Sequence, residues 1–140
     1  MVDFISVGSN DLTQYLLAVD RNNPRVAHLY TAFHPAVLAA LRHVVTEAQK
    51  EGKPVSICGE MAGDPGAAVL LMAMGFDILS MNASTLLKVK SVIRSITMDA
   101  AQDLLEQVME LDDAQMIRSA VDLALYNAGV DRLLRSSRTN

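Results

Sequence analysis

Four side chains in this sequence pair a reactive type with a telling position: Asn10 and Asp11 side by side, Arg21, and Cys58, the only cysteine. Asp11 is a carboxylate beside an amide, just after Gly8, which lets the backbone turn tightly. A carboxylate is a hard oxygen ligand suited to Mg²⁺, and the free amides of a helix start suit a phosphate. Asp, Asn and Ser are also preferred capping residues, so a plain helix start fits the same letters. Arg21 has a planar fork that grips phosphate or carboxylate with two hydrogen bonds, although a surface arginine in a polar loop fits as well. Cys58 ends a short apolar run and opens a small-residue loop, 59–63, ahead of an Asp-Pro helix start at Asp64 and Pro65. α/β proteins place chemistry at such strand ends. Against that stands the frequency with which free cysteine is simply buried.

The elements that must hold these residues follow from periodicity and punctuation. Residues 4–7 form a half β-branched apolar run ending at Gly8, which predicts a strand buried on both faces or nearly so. A polar loop over 8–11 and a short helix over 12–19 follow, with Leu12, Tyr15, Leu16 and Val19 as its apolar face. The run 20–24 breaks that helix. Pro35 opens a firmer helix over 35–51, striped by Val37, Leu38, Leu41, Val44, Val45 and Ala48 and ended by Gly52. After a strand over 55–58, Asp64 and Pro65 start a helix over 67–74 that Gly75 closes. A third strand spans 77–81, a polar turn 82–84, and a helix 86–96 has Leu86, Val89, Ile93 and Ile96 on one side. The rest is helical, with one stripe through Leu104, Leu105, Val108 and Leu111 and another from Met116 to Leu125. Asp112 and Gln115 form a capping box between them, and Gly129 is a stop. His28, His34 and His43 form no ligand constellation, and the eight methionines read as core filler.

The order βαβαβα, with crossings too long for hairpins, means parallel strands. All three strand-to-helix loops then lie at one end of the sheet, the end where such folds bind ligands. Asn10, Asp11 and Cys58 are therefore expected to share one site. The 140 residues, 51% of them hydrophobic, suit a single packed domain. No apolar run approaches the roughly 20 residues of a membrane span, and no basic stretch precedes a hydrophobic core, so a cytosolic protein is expected. One cysteine excludes an intrachain disulfide and a cysteine-cluster metal site. A net charge of −4 argues against a nucleic-acid footprint, and Arg132, Arg135 and Arg138 read as a solvated helix end. The chain enters its first strand with no preceding cap or turn, which suggests a piece of something longer.

Longer motifs carry a resemblance. Gly8 to Tyr15, Ala18 to Arg21, His34 to Val37 and Cys58 to Pro65 together resemble the final third of the barrel of phosphoenolpyruvate-utilising enzymes. The likeness covers nearly the whole chain. Glu60-Met61-Ala62-Gly63-Asp64 resembles the enzyme I branch, phosphoenolpyruvate-protein phosphotransferase of the sugar phosphotransferase system, rather than pyruvate phosphate dikinase or phosphoenolpyruvate synthase. Residues 20–26 resemble its nitrogen-branch paralogue. Ser9 stands where threonine is usual, a conservative change.

The resemblance implies the last three βα units of a TIM (β/α)₈ barrel over 1–96, followed by terminal helices over 97–140. It implies that Asp11 is one of two carboxylate ligands of Mg²⁺, that Asn10 contacts phosphoenolpyruvate and that Arg21 binds its anionic groups. Cys58 would be the acid that protonates the enolate carbon as pyruvate forms. An ordinary thiol, with a pKa of about 8.5, is such an acid. A full barrel has eight strands, so the other carboxylate, further arginines and a phosphorylatable histidine would lie upstream. The same likeness implies a histidine-phosphorylatable carrier protein as partner and a homodimer, and it leaves the isolated chain inactive. A non-catalytic oligomerisation or regulatory module of the same ancestry is the alternative.

Overall fold

Each short apolar run becomes a strand, and the three pair in parallel in the order β1 (Ile5–Gly8), β2 (Val55–Cys58), β3 (Ile78–Ser80). The structure is a computed structural model and describes residues 2–130. Register pairs Ile5 with Val55, and Val7 with Ile57, which in turn faces Leu79. Side chains alternate along a strand, so these residues share one face and join the core. Ser6, Ser56 and Ile78 point the other way, and Phe4 and Ile78 are exposed. The expectation that residues 4–7 are buried on both faces is therefore corrected: the helices cover one face only.

Two helices, α1 (Ser9–Leu17) and α2 (Pro35–Lys50), with a 3₁₀ turn at Ala27–Leu29 between them, join β1 to β2. The single turn α3 (Glu60–Gly63) and α4 (Pro65–Met74) join β2 to β3. Beyond β3 come α5 (Ala83–Ser95), α6 (Met98–Met109) and α7 (Ala114–Asn127). Their starts are set by side chains. The ring of His34 caps α2, its Nδ1 accepting from Ala36 N–H at 3.1 Å, which puts the ring proton on Nε2. Asp64 Oδ1 accepts from Ala67 N–H at 2.9 Å at the head of α4, and Gly75 ends that helix at φ 99°. For α7 the cap is Asp113, whose Oδ1 takes the N–H groups of Gln115 and Met116 at 2.9 Å each, in place of the expected Asp112 box.

α4 is apolar all round and becomes the centre of the molecule. Ala67, Ala68, Val69, Leu70 and Leu71 are all fully buried, under α3, α5, α6 and α7. A helix with no polar face must be buried on every side. Gly66 lets α7 come close, since a Cβ there would lie 2.5 Å from Val121 Cγ1.

α1 departs most from expectation. It begins directly after Gly8, so Ser9, Asn10 and Asp11 form its first turn where a loop was predicted. The residues it buries are Ser9 and Thr13, while Tyr15 is 80% and Leu16 44% exposed. Thr13 Oγ1 donates to the Ser9 carbonyl at 2.8 Å, which lets a hydroxyl be buried. On α5, likewise, Val89 and Val92 are buried and Leu86 is exposed. Arg132, Arg135 and Arg138 lie outside the described residues. Among the described residues, no helix is long and apolar enough to cross a membrane.

The last turn of α2 offers a small electrostatic test. Lys50 Nζ lies 2.7 Å from Glu47 Oε1 and holds the Glu47 carboxyl below its ordinary pKa, chiefly through that hydrogen bond. A pKa lowered on folding gives stability that is present at neutral pH and is lost as pH falls through the lowered value. Lys50→Met is expected to return the Glu47 titration, followed by NMR, to the ordinary glutamate range. An unchanged midpoint would remove Lys50 as the cause.

Candidate functional site

The strand register builds the site. Gly8 pairs with Cys58 and Cys58 with Ser80, so these three form one row across the carboxyl end of the sheet, on its open face. Cys58 is thus flanked by a residue without a side chain and by a hydroxyl. Its thiol is free and exposed. A cleft of about 760 Å³ opens there, lined by Asn10, by Cys58 and parts of the segment that follows it, and by Ser80, Asn82 and Thr85.

Gly59 makes the approach of α1 possible. It adopts φ 115°, ψ −170°, a region that only glycine enters freely, and a Cβ there would run into Ser9 Oγ and lie 3.3 Å from Asn10 Oδ1. Ser9 is 2% exposed, and its Oγ has no hydrogen-bond partner among the described residues. The residues after Cys58, predicted as a loop, form the turn α3, packed between Asn10 and Thr85.

Asn10 is held from two sides. Tyr30 Oη donates to its carbonyl at 3.3 Å and to its Oδ1 at 3.5 Å, and Glu60 N–H reaches the same Oδ1 at 3.4 Å. With Oδ1 turned to two donors, the amide NH₂ is left to donate to a ligand in the cleft. Asp11 is exposed in the first turn of α1, and its Oδ2 lies 3.9 Å from where a Cβ on Gly8 would be, back beside the end of β1. A carboxylate there also complements the positive end of the helix. Among the described residues, its carboxylate makes no hydrogen bond or ion pair, and no three His, Cys, Asp or Glu converge as a metal cluster. Arg21 sits in the exposed turn after α1, where its own N–H donates to Gln14 Oε1 at 3.4 Å. Asn10 and Cys58 therefore meet in the cleft, whereas neither Asp11, whose carboxylate lies back beside the end of β1, nor Arg21 is among the lining residues.

Tyr30, Ser80 and Thr85 were not singled out from the sequence. Ser80 had a readable signal, since it holds the same strand-end place as Cys58. Tyr30 had none: it acts on Asn10 across 20 residues.

Residues 1–98 match the phosphoenolpyruvate-binding domain of the phosphoenolpyruvate-utilising enzymes. The chain belongs to this family. The match to the phosphoenolpyruvate-utilising domain takes in every cleft residue named above. Over 134 residues, 96% of this chain, it is 46% identical to a Salmonella typhimurium protein named phosphoenolpyruvate-dependent phosphotransferase system, covering 18% of that protein. The phosphoenolpyruvate-protein phosphotransferase of Geobacillus stearothermophilus is 44% identical over 120 residues, 86% of this chain and 21% of that protein. Multiphosphoryl transfer protein 1 of Escherichia coli is 47% identical over 142 aligned residues, 94% of this chain and 17% of that protein. This member of the phosphoenolpyruvate-utilising family thus spans about a fifth of the length of these relatives.

Proposed function

We propose that this chain forms the part of a phosphoenolpyruvate-protein phosphotransferase that binds phosphoenolpyruvate and releases pyruvate. The observation that carries the reading is the shared cleft of Asn10 and Cys58 at the carboxyl end of a parallel sheet. Phosphoenolpyruvate gives its phosphoryl group to a histidine nitrogen supplied from outside this chain: a P–N bond forms, the P–O bond breaks, and its electron pair stays on the enolate oxygen of pyruvate. Cys58 then delivers its proton to the methylene carbon, and the thiolate regains a proton from water. The Asn10 NH₂ binds an oxygen of the substrate, and the Arg21 guanidinium folds over the mouth to hold its anionic groups. Phosphoryl transfer is mostly positioning and charge neutralisation, which is the work these side chains suit.

Asp11 fits a Mg²⁺ ligand in kind: it is a hard carboxylate with no ion pair among the described residues. Mg²⁺ is commonly held by one or two carboxylates with waters and substrate phosphate, so the other donors would come from water, the substrate and residues outside this chain. When bound, Mg²⁺ would neutralise charge on the phosphate.

The sheet order 1-2-3, with every helix on one face, supports a singly wound sheet that continues into a (β/α)₈ barrel, in which residues 1–96 supply three units and 97–140 the terminal helices. The open face, with Phe4, Ser6, Ser56 and Ile78, would then point to the barrel interior. Exposed Tyr15 and Leu16 suit a homodimer or an interdomain contact, and the working place is the cytoplasm, where a histidine-phosphorylatable carrier protein takes the phosphoryl group onward.

A chimera in which this chain replaces the matching segment of the Geobacillus stearothermophilus enzyme tests the reading. It is expected to phosphorylate a protein histidine from phosphoenolpyruvate and release pyruvate, whereas the 140 residues alone do neither. A folded chimera without transfer would overturn the function, and steady pyruvate release by the chain alone would overturn the division of labour.

A further inference from the structure

Asp64 lines the cleft, yet the group that holds its outer oxygen comes from far along the chain. Arg118 Nη1 donates to Asp64 Oδ2 at 2.8 Å. Arg118 is itself held in place: its Nε lies 3.2 Å from Asp122 Oδ1, and its guanidinium stands 4.8 Å from the centre of the Phe33 ring. Burial alone would lower its pKa, but the hydrogen bond and charge of Asp64, followed by Asp122, outweigh it and leave the group raised. On the same helix, Val121 and Leu125 fill the space in front of Gly66. Residues three and four apart share a helix face, so Arg118, Val121 and Leu125 press as one surface on the stretch from Asp64 to Gly66.

That stretch is the exit of the segment that begins at Cys58. Its other polar tie to the cleft wall is weak, with Glu60 N–H 3.4 Å from Asn10 Oδ1. Asp64 is the stronger anchor, because one carboxylate both caps α4 and pairs with Arg118. A bond between two ionised groups is about twice as strong as a neutral one.

We propose that Arg118 is a positioning residue for the cleft: from a helix that gives the cleft no wall, it fixes the segment from Gly59 to Asp64 and with it the setting of the Cys58 thiol. The inference rests on reading the cleft as the working site. Its test does not, because the thiol reports the setting whether or not phosphoenolpyruvate binds.

Cys58 is the sole thiol, so alkylation of the 140-residue chain by iodoacetamide, followed from about pH 6 to about pH 9, reads it alone. Arg118→Met keeps an apolar stem over Phe33 and deletes the ion pair. Arg118→Lys keeps the charge without the fork. Arg42→Met is the control, since it deletes a comparable pair, Arg42 with Glu106 at 3.0 Å, between α2 and α6. Arg118→Met is expected to raise the alkylation rate about threefold and to speed amide exchange from Met61 to Asp64, with Arg118→Lys between it and the parent and Arg42→Met equal to the parent. Should Arg118→Met fail to fold, Arg118→Lys and Asp122→Asn, which loosens the same guanidinium, carry the comparison. Rates and exchange within about twofold of the parent, whatever the melting temperature, would overturn the proposal. So would an equal change in Arg42→Met.

Discussion

Gly59→Ala is expected to lower the unfolding free energy by about 2–4 kcal/mol. Two costs add at this position. The backbone sits at φ 115°, ψ −170°, where a side chain is strained whatever its surroundings, and the new Cβ would meet Ser9 Oγ and the Asn10 amide. Relief requires the Ser9 hydroxyl to leave its rotamer or α1 to move off α3, and the second would separate Asn10 from Glu60 and widen the cleft. Gly52→Ala is the natural comparison. Gly52 also has positive φ, at 63°, but nothing lies within 4 Å of its Cβ position, so only the backbone cost of about 1–2 kcal/mol applies. Urea unfolding of the two variants separates strain from collision. Equal losses would show that the contact with Ser9 and Asn10 contributes nothing.

Cys58→Ala is expected to act in the opposite manner, with stability nearly untouched and chemistry nearly abolished. The side chain is exposed and lies beside Gly8, so removing sulfur leaves no buried cavity, and the unfolding free energy should change by under about 0.5 kcal/mol. In the Geobacillus chimera, turnover is expected to fall by about 10²–10⁴, the range for loss of a positioned acid. Incorporation of solvent deuterium into the methyl group of pyruvate, read by NMR, should fall with it. Turnover within about threefold of the parent would take the thiol out of the chemistry and favour a binding or regulatory module.

Much of the sheet was legible because each strand is a short apolar run ending on Gly8, Cys58 or Ser80, with crossings too long for hairpins. The meeting of Asn10 with Cys58 followed from the parallel direction alone. What escaped was the face of α1. Periodicity turns Tyr15 and Leu16 inward, but a nine-residue helix that starts at the strand exit takes its orientation from that exit and from the contact of Ser9 with Gly59. A short helix has too few apolar residues to overrule such a constraint. Val19 is buried as expected, but it follows Ala18, whose φ of 53° redirects the chain, so its burial carries no information about the helix face. The Tyr30 hold on Asn10 and the Arg118 hold on Asp64 were invisible for a different reason: each joins distant residues through groups whose types are ordinary on a surface.

The all-apolar character of α4 also bears on how this protein is made. Ribosomes add about 5–20 residues per second, and the last α7 residue against α4, Leu125, is added 51 residues after Met74, so roughly 3–10 s pass between the two. From Ser80 onward in that interval the sheet is already synthesised while its sticky central rod lacks the cover that α6 and α7 will give. Nascent chains stalled between the two points should therefore be favoured clients of holding chaperones, and release should coincide with arrival of the final hairpin.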